Sequence, residues 1–441
     1  QACVLKNRSM CNMKNKNLWR LIPLVLLTFS SCNQFLTVDP ENRKVSEGYY
    51  DSAQRVEQAV IGAYVDLRRA LVANHAWLMY GEVRVGELVV AASYSDAVSA
   101  QALNGGHHVL QQLADWGYFY DVINSANEVL DILGAVDSET LTSNQRDLFR
   151  GEALALKSIA YFYLTRIWGE IPSAEPQGFG QKLTSQAALD LSVGYIRQAI
   201  EILPWLLVND DGIESNALSG IRFTKTSASI LLAQQELSRG NAQDAYSALT
   251  LLFSDNADGK LAPFGLSMGA DRRTEISTNP LSSSLVSMPI AVFNVLYPVG
   301  DTRRTALFTA TQQVAHFIVR DQTVLPLLKL EEIDLLRAEA AWRSGRLEEA
   351  VELLVEASAG ATEDYSSIAT DDAFEEALLR ERQRQLIGTG QRFFDLIRFG
   401  KVSTYVPELS DDDLSQGAAY WPLSTQSLKG TSWSQSNFWS R

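Results

Sequence analysis

The sequence predicts a mainly α-helical protein: a scaffold of helical pairs with long irregular loop insertions and at most small β elements. Three observations predict it. From Phe149 through the segment 150–172, RGEALALKSIAYFYLTRIWGEIP, apolar side chains recur at Phe149, Ala153, Leu156, Ala160, Tyr163 and Ile167. Steps of four and three trace one face of an α-helix. Two later stretches share one spacing, Ala233-x6-Gly240-x4-Ala245 and Ala338-x6-Gly345-x4-Ala350. Between them, residues 254–325 lose the helical period and carry Pro263, Pro280, Pro289 and Pro298.

The segment 150–172 is the element around which the rest is organised. Leu154 and Phe162 lie off its main apolar face, so neighbours pack on more than one side. Gly151, Ala153, Ala155, Ser158 and Ala160 are small enough for close helix approach. Gly169 is placed to end the helix and Pro172 to stop it. Arg150, Glu152, Lys157 and Arg166 interrupt the run and make it a poor membrane span.

The chain has 441 residues, 46% hydrophobic and 20% charged, enough for a sizeable core. Its formal net charge is −14. The first 31 residues hold Lys6, Arg8, Lys14, Lys16 and Arg20 and no acid, so the remainder is more acidic still. Such a body is no general nucleic-acid binder, because phosphate contacts need clustered cations.

Met13 opens MKNKNLWRLIPLVLLTFSSC. Lys14, Lys16 and Arg20 precede a short apolar run at 21–29, which ends in Phe29-Ser30-Ser31-Cys32. This reads as an export signal, and small residues before a Cys resemble a bacterial lipobox. The expectation is cleavage before Cys32 and lipidation there, with residues 1–31 as upstream sequence and signal and 32–441 as a single domain. Cys3 and Cys11 would leave with the signal, and one Cys forms no intrachain disulfide.

In chain order, 35–40 is a short extended lead. Residues 46–71 form a helix with Val56, Val60, Ala63, Tyr64 and Leu67 on one face. Residues 77–106 are looser, punctuated by Gly81, Gly86, Gly105 and Gly106. Residues 115–133 are helical, with Trp116, Tyr120, Ile123, Asn127 and Leu130 on one side. Residues 143–168 contain the organising helix, and 184–203 another, stopped by Pro204. In the two repeats, small Ala residues let antiparallel helices approach and Gly makes the turn, the pattern of a tetratricopeptide-type pair. In the insertion, VFNVLYPV and VAHFIV are expected as small strands. The tail, 400–441, is irregular and aromatic, with Tyr405, Tyr420, Trp421, Trp433, Phe438 and Trp439.

Several motifs fall in a recognisable order. Cys32-Asn33-Gln34-Phe35-Leu36 precedes Val38-Asp39-Pro40. Trp116, Tyr120, Ile123 and Asn127 are spaced W-x3-Y-x2-I-x3-N. The 150–172 helix and Ala338-Glu339-Ala340 follow. Then come Glu381-Arg382, Gly390-x-Arg392-x-Phe394-Asp395-Leu396-x-Arg398-Phe399-Gly400, Trp421-Pro422-Leu423 and Gln435-Ser436-Asn437-x-Trp439. On these residues the chain resembles, nearly end to end, the SusD/RagB family of outer-membrane nutrient-binding lipoproteins. Gln385 and Thr389 stand where that family usually has acids. The resemblance implies a non-enzymatic surface lipoprotein, held to the outer membrane by its lipid anchor. It would capture an oligosaccharide as a hinged lid on a SusC-like TonB-dependent barrel, without a cofactor. A peptide ligand is the alternative, followed by a repeat scaffold without a small ligand and a surface glycan hydrolase. The resemblance further implies a ligand site on the face opposite the repeats, built from the loop excursions.

Nothing in the sequence signals catalysis. It has no phosphate-cradling loop, no H-E-x-x-H and no G-x-S-x-G. His107-His108 reads as a solvated loop pair and Asp411-Asp412-Asp413 as a solvated acidic turn. Glu381, Arg382, Arg392, Asp395 and Arg398 are expected to pair across helix ends as structure. A sugar binder needs aromatic faces for C–H surfaces, with amides, carboxylates and Arg for hydroxyls. The candidates are Trp77, Tyr80, Tyr94 and Asp96 in the first excursion. Arg272, Arg273, Asn294, Tyr297, Arg303 and Arg304 are those in the long insertion.

Overall fold

The computed structural model describes residues 49–255, 259–267, 286–312, 314, 324–358 and 362–441. Cys32, Arg272 and Arg273, and the expected extended lead, lie outside the described residues. The body from Asp51 to Arg441 clusters as one compact unit.

Helices dominate it. α1 (Ala53–Val72), α2 (Gly117–Ala135), α3 (Ser143–Trp168) and α4 (Ser185–Ile202) pack in succession, with α3 in contact with the other three. Eighteen of the 26 residues of α3 are buried, which explains apolar side chains on more than one face. Thr142 and Gln145 close a capping box at its start, and Gly169, at φ 75°, ends it. A Cβ on Gly151 would sit 2.8 Å from Leu203 Cδ2, so glycine is what lets the end of α4 come this close. No described helix is long and apolar enough to cross a membrane.

The two buried charges in the middle of α3, Glu152 and Lys157, are both paired. Glu152, fully buried, accepts from Tyr64 Oη at 2.9 Å and from Arg222 Nε at 2.7 Å. Lys157 Nζ lies 3.0 Å from Glu175. That carboxyl also accepts from Tyr161 and Tyr195. Burial works against the charged Glu175, yet these hydrogen bonds and the Lys157 charge hold it below its ordinary range.

Both repeats form as the spacing predicts. α5 (Lys225–Ser238) and α6 (Ala242–Ser254) are joined at Gly240, φ 81°. α7 (Glu332–Arg343) and α8 (Leu347–Ala357) are joined at Gly345, φ 77°. Ala233, Ala245, Ala338 and Ala350 have no exposed surface. α6 packs on α7, so the two pairs stack although a long excursion separates them in sequence.

α9 (Asp371–Gln385) and α10 (Arg392–Arg398) lock onto the second repeat through the expected charges. Arg382 reaches Glu332 at 2.8 Å and Asp395 at 2.9 Å; Arg398 reaches Glu339 at 2.8 Å. Arg392 reaches Glu87 at 2.7 Å, and Glu381 pairs with Arg303. The two departures from the family pattern have local partners. Gln385 Nε2 donates to Ala357 O at 3.1 Å and Thr389 Oγ1 to Leu386 O at 2.7 Å.

Strand is confined to three antiparallel pairs among the described residues. β1 (Val89–Val90) pairs with β5 (Val286–Ser287), β2 (Ile171–Pro172) with β3 (Lys182–Leu183), and β4 (Phe264–Ser267) with β6 (Val324–Leu328). One expected strand is corrected. VFNVLYPV is helical over Ile290–Leu296. Phe293, Leu296 and Tyr297 are buried at helical spacing, while Val295 is 77% exposed. A short apolar run does not reveal its period until one knows which residues face out. Of VAHFIV, Val314 bridges Phe308 and the rest lies outside the described residues.

Candidate functional site

The two loop excursions meet. The β1–β5 ladder aligns Val89 with Ser287 and Val90 with Val286, joining residues 77–106 to the insertion. Backbone conformation singles out the same segments. The non-glycine residues with left-handed φ, among those described, are Asn74, His75, Gln101 and Gln312, at 55–57°. Each costs about 1 kcal/mol or more for an L-residue and persists only where surroundings hold it. Gln101 is held by Arg84, whose Nε donates to its Oε1 at 3.1 Å. Gln312 O accepts from Met288 N at 3.0 Å, just beyond β5.

The expected ligand residues separate into two groups. Trp77, 1% exposed, donates from Nε1 to Gly388 O at 2.9 Å. Tyr80 Oη donates to Leu113 O at 2.8 Å, and its ring packs edge-on against Trp421. Tyr297, with no exposed surface, donates to Arg384 O at 2.9 Å. Arg303 is buried between Asp301 and Glu381. In this conformation these four side chains are core and present no face to a ligand. Asp96 and Asn294 are exposed, and Arg304 is half-buried. Arg304 Nη2 donates to Asn294 Oδ1 at 3.1 Å and its guanidinium lies 4.4 Å from the Phe293 ring centre.

Tyr94 stands between the groups, with Oη 3.3 Å from both His75 Nδ1 and Asn74 O. Burial pushes its phenol pKa up. Its buried ring backs the two histidines: Tyr94 to His107 at 6.0 Å, then His107 stacked on His108 at 4.8 Å. The His107–His108 pair is therefore no bare solvated loop. His107 Nδ1 accepts from Val109 N at 3.2 Å and caps a short helix, His108–Leu113. In the neutral ring the proton then sits on Nε2, which donates to Ser93 Oγ at 3.3 Å. Asp411–Asp413 likewise has a structural use, as the first turn of a short helix capped by Ser410.

Below this face, Glu82 is buried and receives Gly388 N at 3.2 Å and Gly390 N at 3.0 Å. Burial pushes its carboxyl up to about 8 despite those donors. Arg84 beside it donates to Ala418 O at 2.6 Å and Ala419 O at 2.7 Å, and burial lowers it to about 9.

That anchorage folds the tail over the end of α3 and leaves a cavity of about 470 Å³. Trp168, Tyr420, Trp421 and Trp433 supply aromatic wall, Glu170 and Lys182 charge. Trp421 N donates to Ile167 O at 2.8 Å, and Trp439 Nε1 to Tyr420 O at 2.9 Å. The Gln435 side chain brackets the Leu423 backbone, accepting from its N at 2.8 Å and donating to its O at 2.7 Å. No residue of this cavity was among the sequence-predicted ligand residues. The signal was the aromatic density of 400–441. The tail has no period, so the sequence does not tell which rings share a wall.

A helical repeat scaffold whose irregular excursions meet at one face defines the class of fold. Residues 34–233 match a SusD-like family model described as starch-binding associating with outer membrane, and residues 320–440 match the SusD family model. The chain belongs to the SusD/RagB family. "SusD-like protein P38" of Formosa agariphila is 22% identical, over 94% of this chain and 97% of its own. A SusD superfamily protein of Bacteroides thetaiotaomicron has TM-score 0.72 at 22% identity, with 88% of this chain and 99% of that chain covered. Surface glycan-binding protein A of the same organism, solved with laminarihexaose, has TM-score 0.66 at 16% identity over 87% of this chain and 99% of its own. A laminarin-binding SusD-like protein has TM-score 0.66 at 18% identity, with 88% and 99% covered.

Proposed function

We propose that the protein is a non-catalytic, cell-surface glycan-binding lipoprotein of the outer membrane. The β1–β5 ladder carries this reading, because it gathers the two excursions into one face on a scaffold shared with glycan-binding relatives. Asp96, Asn294 and Arg304 supply a carboxylate, an amide and a guanidinium for hydroxyls, and the stacked His107 and His108 supply ring surface, with the buried Tyr94 behind them. Binding of this kind needs complementarity and no bond chemistry.

In the full reading, the signal is removed before Cys32, acyl chains on Cys32 anchor residues 32–441 as one domain, and the protein acts as a lid. It captures an oligosaccharide and delivers it to a SusC-like TonB-dependent barrel. Arg272 and Arg273 remain candidate contacts on the insertion. Lid closure raises local ligand concentration and encloses the sugar, which requires affinity alone.

The test is purification of the lipoprotein from its native outer membrane in mild detergent, with co-purifying proteins identified by mass spectrometry. A stoichiometric TonB-dependent barrel is the expected result, and arrival alone under conditions that preserve such complexes removes the lid mechanism. Calorimetric titration with laminarihexaose, maltohexaose and a tripeptide pool then reads the ligand class. A peptide that binds where both sugars fail transfers the site to peptide.

A further inference from the structure

We propose that the cavity between the tail and the end of α3 is a second saccharide subsite, separate from the excursion face. The choice of ligand class rests on the glycan-binding reading above. The location and the chemistry come from the cavity itself.

Its volume of about 470 Å³ lies within the ~300–1,000 Å³ of small-ligand sites. Its walls come from the end of α3, the β2–β3 hairpin and the tail, none of which belongs to the β1–β5 face. Trp433 is half-buried. Trp116 packs edge-on against it, with ring centres 5.2 Å apart and planes at 85°. Lys182 Nζ, on a half-exposed side chain, sits 5.7 Å from the Trp433 ring centre and pairs with Glu170. A flexible lysine is displaced readily from an aromatic face, and a sugar ring uses the same face through its C–H surface.

The second observation concerns unsatisfied polar atoms. Trp168 Nε1, Trp421 Nε1 and Ser436 Oγ are each buried and have no hydrogen-bond partner, and all three residues line this cavity. A buried polar group without a partner costs about 1–3 kcal/mol. All three lie within the cavity wall with essentially no accessible surface, so a bound group that offers acceptors reaches them only as wall side chains shift on binding.

These features select among ligand classes. Two indole N–H groups can only donate, so a ligand that reaches them as the wall shifts brings acceptor oxygens. Glu170 requires a donor and Lys182 an acceptor, which a hydroxyl supplies in turn. The Glu170 and Lys182 charges cancel, so nothing recruits a phosphate. A wall that mixes serines, glutamines and charge with its rings does not suit an acyl chain. A sugar offers hydroxyl and ring oxygens together with a C–H face for Trp433.

Fluorine NMR of the full chain labelled with 5-fluorotryptophan tests this directly. The chain has nine Trp, so the Trp433 signal is assigned with Trp433→Phe and the Trp168 signal with Trp168→Phe. Laminarihexaose, maltohexaose and xylohexaose are titrated to millimolar concentration. The expected result is a saturable shift of the Trp433 and Trp168 signals with at least one of them. Lys182→Ala, an exposed change that spares the core, is expected to alter that affinity measurably. Trp433→Ala, checked for unchanged thermal unfolding, is expected to weaken it about tenfold. Perturbation elsewhere with Trp433 and Trp168 unmoved overturns the subsite and leaves the excursion-face reading standing. A Trp433 shift that survives Asp96→Ala and Arg304→Ala supports the subsite even if the excursion face binds nothing. Silence of the Trp433 and Trp168 signals with every sugar overturns the subsite, while the excursion face, which presents no Trp to a ligand, is decided by the calorimetric titration above.

Discussion

Arg222 grips Glu152 with two hydrogen bonds, Nε to Oε1 at 2.7 Å and Nη2 to Oε2 at 2.6 Å, and so holds a fully buried carboxylate in the middle of the packed helices. Tyr64 adds a third donor at 2.9 Å and, in turn, accepts Phe223 N at 2.8 Å. The group links α1, α3 and the approach to the first repeat. Replacing one member strands the other, and an uncompensated buried charge costs about 3–5 kcal/mol. Arg222→Met is expected to lower stability by that order. The double variant with Glu152→Leu is expected to recover a substantial part of it. Urea unfolding of both checks this, and a double variant no better than the single would show that the pair is not the source.

Glu82 makes stability depend on pH. Burial raises its folded pKa to about 8 from an ordinary 4.5. Between those values the folded chain binds more protons than the unfolded one, so this group's contribution is complete below about 4.5 and is lost as pH rises through 8. Glu82→Gln keeps the shape and cannot ionise. Its stability relative to the parent should therefore improve on going from pH 5.5 to 8.5, by on the order of a few kcal/mol. Paired melting curves at the two pH values read this difference, and a constant offset between the proteins would refute it.

The sequence conveyed the scaffold better than the site, for a physical reason. Periodicity and small-residue spacing are local quantities. They located α3 and, through Gly240 and Gly345, both repeat turns. The charge pairs of Arg382 and Arg398 were legible as structure because helix-end charges that dense need partners. Burial of a loop side chain is not local. Trp77 is core because Gly388, 311 positions later, accepts its indole hydrogen. Tyr297 is core because Arg384 does the same for its hydroxyl. In an aperiodic stretch, a ring that closes a loop and a ring that offers a platform look alike. The same limit hid the tail cavity, whose walls are assembled from segments about 250 residues apart.

Close backbone packing accounts for Gly390. Its φ is 80°, and a Cβ there would stand 2.6 Å from Trp77 O; a Cβ on Gly81 would stand 2.5 Å from Gly390 O. Two chain segments thus touch with no room for a side chain, directly beside the Glu82 acceptor. Gly390→Ala combines left-handed strain of about 1–2 kcal/mol with a backbone clash. The variant is expected to lose at least that much stability. It should also lose slow amide exchange at Gly388 and Gly390, whose N–H groups bond Glu82. Hydrogen exchange separates this from a global effect, because protection in the second repeat should fall less.

Glu339 is the acid-labile counterpart of Glu82. It is fully buried in α7 and accepts from Arg398 Nε and Nη2, at 2.8 and 2.9 Å, and from Arg343 Nε at 2.9 Å. Burial by itself raises a carboxyl, but the Arg398 charge and its hydrogen bonds, then Arg343 and Arg382, overcome it and hold Glu339 below its ordinary 4.5. A lowered folded pKa gives stability that is present above about 4.5 and disappears as pH falls further. Glu339→Gln removes the charge that three guanidiniums surround. It is expected to cost about 3–5 kcal/mol near pH 7, the order for breaking a buried ion pair. As pH falls through its lowered pKa the parent carboxyl itself protonates, so the gap between parent and variant should narrow. In Glu82→Gln the difference moves the other way over its own window. Measuring both variants across one pH series checks the two assignments against each other, and parallel profiles would exclude at least one of them.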